Sequence, residues 1–148
     1  MRTAGAHGAY THATASATKI AMALAARLEE VTEIRPELSD NISRGIDAGR
    51  AAMDRAMGKG AGEIVDKVTL NIGTIKGGVK VNMVPSSAMF ETDIRLPLGV
   101  TRERVLAEVE RILKDFPNAE VKETNCNLPS WVDPACDIIE IVQSTVEE

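Results

Sequence analysis

Three short polar segments carry the side chains of this chain that are best suited to chemistry. Residues 7–12 read HGAYTH, residues 77–85 read GGVKVNMVP, and residues 93–97 read DIRLP. Each segment lies at the edge of an apolar run and offers hydrogen-bond donors such as imidazole, amide and guanidinium groups. The pattern indicates a chain that supplies donors to a site that it does not complete by itself.

The residues that commonly bind metals are few and scattered. The chain has two histidines, His7 and His12, and two cysteines, Cys126 and Cys136. Neither histidine lies in a His-x-Asp or His-Glu-x-x-His pattern, and the cysteines have no partners at ligand spacing. We therefore expect no metal site and no cofactor within this chain.

Composition and charge indicate one soluble domain. A chain of 148 residues hides roughly 70% of its unfolded surface, which is enough for one core. The hydrophobic fraction is 44%, yet no apolar run approaches the roughly 20 residues that cross a bilayer, so we expect no membrane segment. The net charge of −5, with Lys and Arg scattered along the chain, argues against a nucleic-acid partner.

The beginning of the chain lacks the charged-then-apolar pattern of a signal peptide. We therefore expect a cytoplasmic protein in which Cys126 and Cys136 are reduced thiols. Residues 2–6 read as a short strand that begins abruptly. This abrupt start suggests a chain that was cut from a longer protein.

Two helices are predicted in the first half. Residues 14–33 place apolar side chains at helical spacing among alanines, which have high helix propensity. A break at Pro36 precedes a second amphipathic helix over residues 36–58, which a glycine-rich segment closes. Gly45 and Gly49 weaken this second helix locally.

The pattern then changes to that of strands. Residues 68–72 alternate apolar and polar side chains, and residues 79–83 do so after a Gly-Gly turn, which predicts a hairpin. Residues 88–96 read as a third strand with one buried face. A helix is predicted over residues 101–116, with Thr101 as its N-cap, and a last short strand over residues 119–124.

This order of elements predicts an α+β fold. We expect a mostly antiparallel, four-stranded, ferredoxin-like sheet with helices packed on one face, plus one additional helix. The last stretch differs, because a connector with two prolines leads to an apolar helical pattern. We therefore divide the chain into a domain of residues 1–126 and a connector of residues 127–148 that begins a neighbouring domain.

Four segments together carry a family resemblance, namely residues 5–12, 68–78, 81–85 and 92–97. They resemble the dimerisation, or lid, domain of the acetylornithine deacetylase, succinyl-diaminopimelate desuccinylase and carboxypeptidase G family of zinc metallopeptidases. The motifs stand in the family's order, and the resemblance covers roughly residues 1–124. It implies a lid inserted into a larger catalytic domain that holds the zinc ions, their ligands and the carboxylate general base.

The resemblance assigns parts to three residues. His7 matches the lid histidine that reaches the partner subunit's active site and donates to the oxyanion of the tetrahedral intermediate. Asn82 matches an asparagine expected near the substrate, and Arg95 matches an arginine that holds a substrate carboxylate through its planar fork. Thr11 stands where many members have proline, and the helix of residues 36–58 occurs only in some branches, so the substrate of a relative does not transfer.

The resemblance also implies partners. These are a second copy of the chain, joined through a sheet edge and a helix, and a small amino-acid or peptide substrate in the complete enzyme. Zinc is then expected in the catalytic domain of that enzyme and not in this chain.

Each assigned residue also has a structural interpretation. His7 and His12 are suited to capping a helix start or bonding a nearby carbonyl. Asn82, on the polar face of a strand, is equally suited to a hydrogen bond with a neighbouring loop. Arg95 alternates with acidic residues such as Asp93, which favours a surface ion pair worth about 0 to 1 kcal/mol.

The leading hypothesis is the lid and dimerisation domain of a cytosolic, zinc-dependent amidohydrolase, inactive as an isolated chain. Its substrate would be an N-acyl amino acid or a small peptide. The competing hypothesis is a free-standing α+β module that self-associates through a sheet edge or binds a small ligand. A ferredoxin-like amino-acid sensor is a third. Metal-ligand motifs in adjacent sequence would separate the first hypothesis from the others.

Overall fold

The computed structural model describes residues 1–132 and 136–146. Its strands are β1 (Ala6–His7), β2 (Thr69–Gly77), β3 (Met83–Val84) and β4 (Ala88–Arg95). Its helices are α1 (Ala17–Leu28), α2 (Asp40–Met57), α3 (Ala61–Ile64), α4 (Arg102–Leu113) and α5 (Asp137–Val146), and a 3-10 segment covers Glu29–Glu33. Within the described ranges, no helix is both long and apolar enough to cross a membrane.

The strands pair as two small antiparallel sheets of two strands each. β2 pairs with β4 from Thr69 opposite Arg95 to Gly77 opposite Ala88. β1 pairs with β3. The α+β class is confirmed, but the prediction of one four-stranded, ferredoxin-like sheet is wrong for the described residues.

The predicted hairpin between residues 68–72 and 79–83 is also wrong. Gly78 has a φ of 75° and turns the chain, a left-handed conformation that glycine adopts without steric cost. The chain does not then return along β2, and Val79 and Val81 remain 86% and 105% exposed. A strand over residues 79–83 would therefore leave these apolar side chains in solvent. The partner of β2 is β4, which offers apolar side chains on one face.

The first residues of the chain run antiparallel to the segment that leads into β4. The Met1 ammonium donates to the Ala88 carbonyl at 3.0 Å. The Thr3 N–H donates to the Ser86 carbonyl at 2.8 Å. The predicted strand over residues 2–6 is therefore a single bridge at Arg2 followed by β1.

The predicted last strand, residues 119–124, does not form. The Asn118 carbonyl accepts a hydrogen bond from the Arg2 N–H at 3.1 Å, so this segment does contact the start of the chain. Beyond it, residues 121–132 are exposed and irregular. Val121, an apolar residue of this segment, is 53% exposed, so the segment buries little of that side chain.

The three predicted helices of the domain are confirmed, with small differences at their ends. The helix of residues 14–33 begins at Ala17 and ends as the 3-10 segment. The second predicted helix is α2. The third is α4, whose Thr101 hydroxyl accepts a hydrogen bond from the Arg104 N–H at 3.3 Å, as expected of an N-cap.

The main core lies between α1, the 3-10 segment, α4 and the apolar face of the β2–β4 hairpin. β4 contributes Phe90 and Ile94, while Met89 and Asp93 on its other face are exposed. This alternation is the one predicted for the strand. The buried members of the core are Leu24, Leu28, Val31, Val68, Val100, Val105, Val109 and Ile112.

α2 and α3 pack mainly against each other and are held by charged groups. The Arg50 guanidinium forms a fork with Asp66, with Nη1 and Nη2 at 3.1 and 2.7 Å from the carboxylate oxygens, and it also donates to the Gly62 carbonyl. The Asp54 carboxylate accepts the N–H groups of Gly60 and Gly62 at 3.1 and 2.8 Å. The glycine-rich segment therefore ends α2, as predicted, and begins the single turn of α3.

Truncating the core should cost far more than truncating the surface of the same helix. Leu24 is 1% exposed and Met22 is 57% exposed, both on α1. We expect Leu24→Ala to lower the free energy of unfolding by about 2 to 5 kcal/mol, because it removes buried methyl groups and leaves a cavity. Met22→Ala should change it by about 0.5 kcal/mol or less. Urea unfolding followed by circular dichroism compares the two. Equal losses would contradict this description of the core.

The Arg50–Asp66 fork should make the free energy of unfolding depend on pH in the acidic range. The hydrogen bond from Arg50 lowers the pKa of Asp66 below its usual range. A lowered pKa in the folded state stabilises the protein above the unfolded pKa of about 4, and this contribution is lost as the pH falls through the folded value. Asp66→Asn should be less stable than wild type at neutral pH, and the difference should shrink below about pH 4. A difference that stays constant from neutral pH to about pH 2 would argue against the fork.

Candidate functional site

His7 lies at the end of β1, beside the loop that carries Asn82. The Gly8 N–H donates to the Asn82 carbonyl at 2.7 Å. A Cβ on Gly8 would lie 2.8 Å from that carbonyl oxygen, so a glycine is needed for the two backbones to approach. The pairing therefore brings together two of the three residues that the sequence singled out.

The local backbone of the His7 segment contacts one nitrogen of its ring. The Ala9 N–H donates to His7 Nδ1 at 3.2 Å. A ring nitrogen that accepts a hydrogen bond carries no proton, so the neutral imidazole holds its proton on Nε2. His7 is exposed, and its Nε2–H is therefore oriented for donation outside the segment. The same hydrogen bond also fits the structural interpretation, in which His7 caps the local backbone.

An aromatic neighbour of His7 was missed by the sequence analysis. The Tyr10 ring lies edge-on to His7 with centroids 6.0 Å apart, and edge-on to His12 at 6.2 Å. The Tyr10 N–H donates to the His7 carbonyl at 2.8 Å, which closes the turn that holds the rings together. The spacing of an aromatic residue between two histidines in residues 7–12 was the available signal.

Asn82 lies in a turn and not on the polar face of a strand, which corrects the expectation. The Met83 N–H donates to the Lys80 carbonyl at 3.2 Å and closes this turn. Asn82 is exposed. Its backbone carbonyl carries the hydrogen bond to the neighbouring loop, so the side-chain amide is not required for that contact.

Arg95 lies at the other end of the fold from His7. It is the last residue of β4, seven steps from Ala88, which corresponds to roughly 24 Å of extended strand. Its Nε lies 2.7 Å from Asp93 Oδ2, and the two side chains are 78% and 54% exposed. This is the surface ion pair of the structural interpretation. One copy of the chain therefore does not place Arg95 beside His7 and Asn82.

The strongest ion pairs lie away from these residues and support the helices. Arg111 contacts both Glu108 on its own helix and Glu30 on the 3-10 segment. The hydrogen bond from Arg111 lowers the pKa of Glu108, and that from Arg102 lowers the pKa of Glu123. Within the described ranges, the His, Cys, Asp and Glu side chains form no group of three or more that could hold a metal.

Comparison with known proteins identifies the fold's family. Residues 2–120 match the family profile described as the peptidase dimerisation domain. The chain belongs to this family. This confirms the resemblance to the dimerisation domain of metallopeptidases that residues 5–12 and the later motifs carried.

A curated relative agrees with this assignment. A probable carboxypeptidase of Aspergillus clavatus is 41% identical to this chain over 56 residues. The match covers 36% of this chain and 14% of that relative. The match thus spans a small part of the length of that relative.

Proposed function

We propose that this chain is the lid and dimerisation domain of a zinc-dependent amidohydrolase that acts on an N-acyl amino acid or a small peptide. Membership in the peptidase dimerisation domain family supports the general role. The observation that carries the catalytic part is the hydrogen bond from the Ala9 N–H to His7 Nδ1, which leaves the exposed Nε2–H as a donor.

The proposal divides the chain and the enzyme into parts. Residues 1–126 form the lid, and residues 127–148 form the connector toward the catalytic domain. The zinc ligands and the general base belong to that catalytic domain. The free thiols of Cys126 and Cys136 are consistent with a cytosolic enzyme.

In this proposal His7 acts across the dimer. Its Nε2–H would donate to the oxyanion of the tetrahedral intermediate in the partner subunit's active site, where the catalytic domain would supply zinc. Asn82, held beside His7 by the Gly8 contact, orients the same substrate. Arg95 exchanges its exposed partner Asp93 for a substrate carboxylate, to which its fork can donate two parallel hydrogen bonds.

A second copy of the chain fits the open edge of β2. Ala88 directs its carbonyl and its N–H toward Met1, at 3.0 and 3.2 Å. In an antiparallel ladder, hydrogen-bonded and non-hydrogen-bonded residue pairs alternate. Gly77 lies opposite Ala88, and Ile75 lies two residues earlier on β2. The backbone N–H and C=O groups of both residues therefore point away from β4. No strand of the described part covers that edge. Pairing with a symmetric copy would satisfy these groups.

α1 supplies the helical part of this interface. A Cβ on Gly77 would lie 2.7 Å from the methyl carbon of Thr18. The first turn of α1 therefore packs against the end of β2. On α1, Met22 is 57% exposed, and on β2, Ile75 is 58% exposed. Apolar side chains from a strand and a helix thus lie on the surface that the second copy would cover.

Removing the His7 side chain should slow the chemical step of the complete enzyme. We expect His7→Ala to lower kcat by roughly 10² to 10³-fold with a much smaller effect on KM, because the hydrogen bond forms mainly in the transition state. His12→Ala is the matched control, since His12 also lies edge-on to Tyr10 but has no catalytic role in the proposal, and it should leave kcat within about twofold. Steady-state kinetics at constant zinc content measure both.

Mixing subunits tests whether His7 acts in trans. Heterodimers of His7→Ala subunits and subunits without the catalytic general base contain one intact composite site, so activity should reappear when subunits exchange. If exchange is demonstrated and no activity returns, or if His7→Ala leaves kcat within about twofold of wild type, then His7 is a structural histidine.

Self-association should depend on the polar groups at the β2 edge. Wild type is expected to dimerise in sedimentation equilibrium. Ile75→Pro should weaken the dimer strongly, because it removes an N–H that points to the open edge and none that bonds to β4. Ile75→Val keeps the N–H and should dimerise as wild type does. Circular dichroism verifies that each variant is folded. A wild type that remains monomeric at high micromolar concentration would contradict the interface.

A further inference from the structure

The only tryptophan of the chain, Trp131, lies against a glycine in the middle of α2. A Cβ on Gly45 would lie 2.9 Å from the indole Cη2, 3.7 Å from Cζ2 and 3.8 Å from Cζ3. The edge of the ring thus occupies the space that any other side chain at residue 45 would fill. Trp131 keeps 36% of its surface exposed, against 53% for the adjacent Val132.

A second glycine on α2, Gly49, provides a comparison for the surroundings of Gly45. Gly49 lies one turn further along α2, and a Cβ there would meet nothing within 4 Å. Both glycines weaken the helix by their conformational freedom. Only Gly45 is compensated by a close approach of another group.

The irregular segment of residues 121–132, which leads into the connector, is also held at a second point. Glu123 accepts hydrogen bonds from the Arg102 guanidinium at the start of α4, with Nε 2.9 Å from Oε1. Residues 121–132 are otherwise exposed and irregular. This segment is therefore held at Arg102 through Glu123 and at Gly45 through Trp131. Glu123 and Trp131 lie eight residues apart in the sequence.

We propose that the Trp131 indole docks on Gly45 of α2 and thereby fixes the direction in which the connector leaves the dimerisation domain. We call this contact between Trp131 and Gly45 the latch. α2 is suited to this task because Arg50 and Asp54 hold it to α3 while it has few other neighbours in the fold. The consequence that the latch orients the lid relative to the catalytic domain rests on the proposed function. It gives the α2–α3 segment a role beyond that of an insertion.

The fluorescence of the single tryptophan tests the docking directly in this chain. Gly45→Ala should shift the Trp131 emission to longer wavelength and raise the acrylamide quenching constant up to roughly threefold, the ratio of full exposure to the present 36%. The indole edge can move, and alanine favours the helix, so α2 should remain folded. Gly49→Ala, the matched control, should leave emission and quenching at their wild-type values.

Several outcomes would overturn the latch. Wild-type Trp131 that is quenched as fast as free tryptophan amide would show that the indole is not docked. Equal emission and quenching in Gly45→Ala and wild type would show that Trp131 does not dock on Gly45. Equal shifts in both glycine variants, with unchanged helix content, would show a general effect of substituting α2.

The orienting role is tested in the complete enzyme. Gly45→Ala should lower kcat/KM there while zinc content is unchanged, and Gly49→Ala should not. A fluorescence shift without any loss of kcat/KM would overturn the orienting role while the docking stands. Failure of the proposed function is a different result, because it is detected by His7→Ala and subunit mixing, neither of which touches Trp131.

Discussion

The antiparallel pairing between the first eight residues and residues 82–88 is the constraint on which the rest of the structure depends. It begins where Met1 bonds to Ala88 and ends where the Gly8 N–H bonds to the Asn82 carbonyl. These hydrogen bonds join segments about 80 residues apart in sequence. The Ala17 N–H donates to the Pro85 carbonyl, which holds the start of α1 against the segment that leads into β4. Without this pairing, His7 and Asn82 would not be brought together.

Two kinds of interaction stabilise the fold, apolar burial and hydrogen bonds between charged groups. The core under the β2–β4 hairpin is apolar, and its burial is the main source of stability, since about 25 cal/mol is gained per Å² of apolar surface removed from water. α2 and α3 instead depend on the fork between Arg50 and Asp66 and on backbone donors to Asp54. Partly buried charged contacts are directional, so they fix geometry well even where they add little stability. This suits a segment that holds a connector.

The exposure of the assigned residues agrees with a site shared between parts of a larger assembly. His7, Asn82 and Arg95 are all exposed, and Arg95 is separated from the other two by the length of β4. In the proposed function, side chains in such positions act on groups that another part of the protein brings to them. In the proposed enzyme the reacting carbonyl comes from a zinc site elsewhere, and desolvation on assembly strengthens the hydrogen bond from His7 Nε2.

The sequence by itself determined the helices, the alternation of β4, the Thr101 cap and the family, because helix periodicity, capping and short motifs are local properties of neighbouring residues. It did not determine which strands pair. Val79 and Val81 have the pattern of a strand, yet only the tertiary structure decides that β2 takes β4 as its partner, since strand pairing depends on which apolar face is buried. The same holds for the site. The types of His7, Asn82 and Arg95 were readable, but their mutual distances, the tautomer of His7 and the contact of Trp131 with Gly45 arise from backbone pairings and packing between distant segments, which no local pattern encodes.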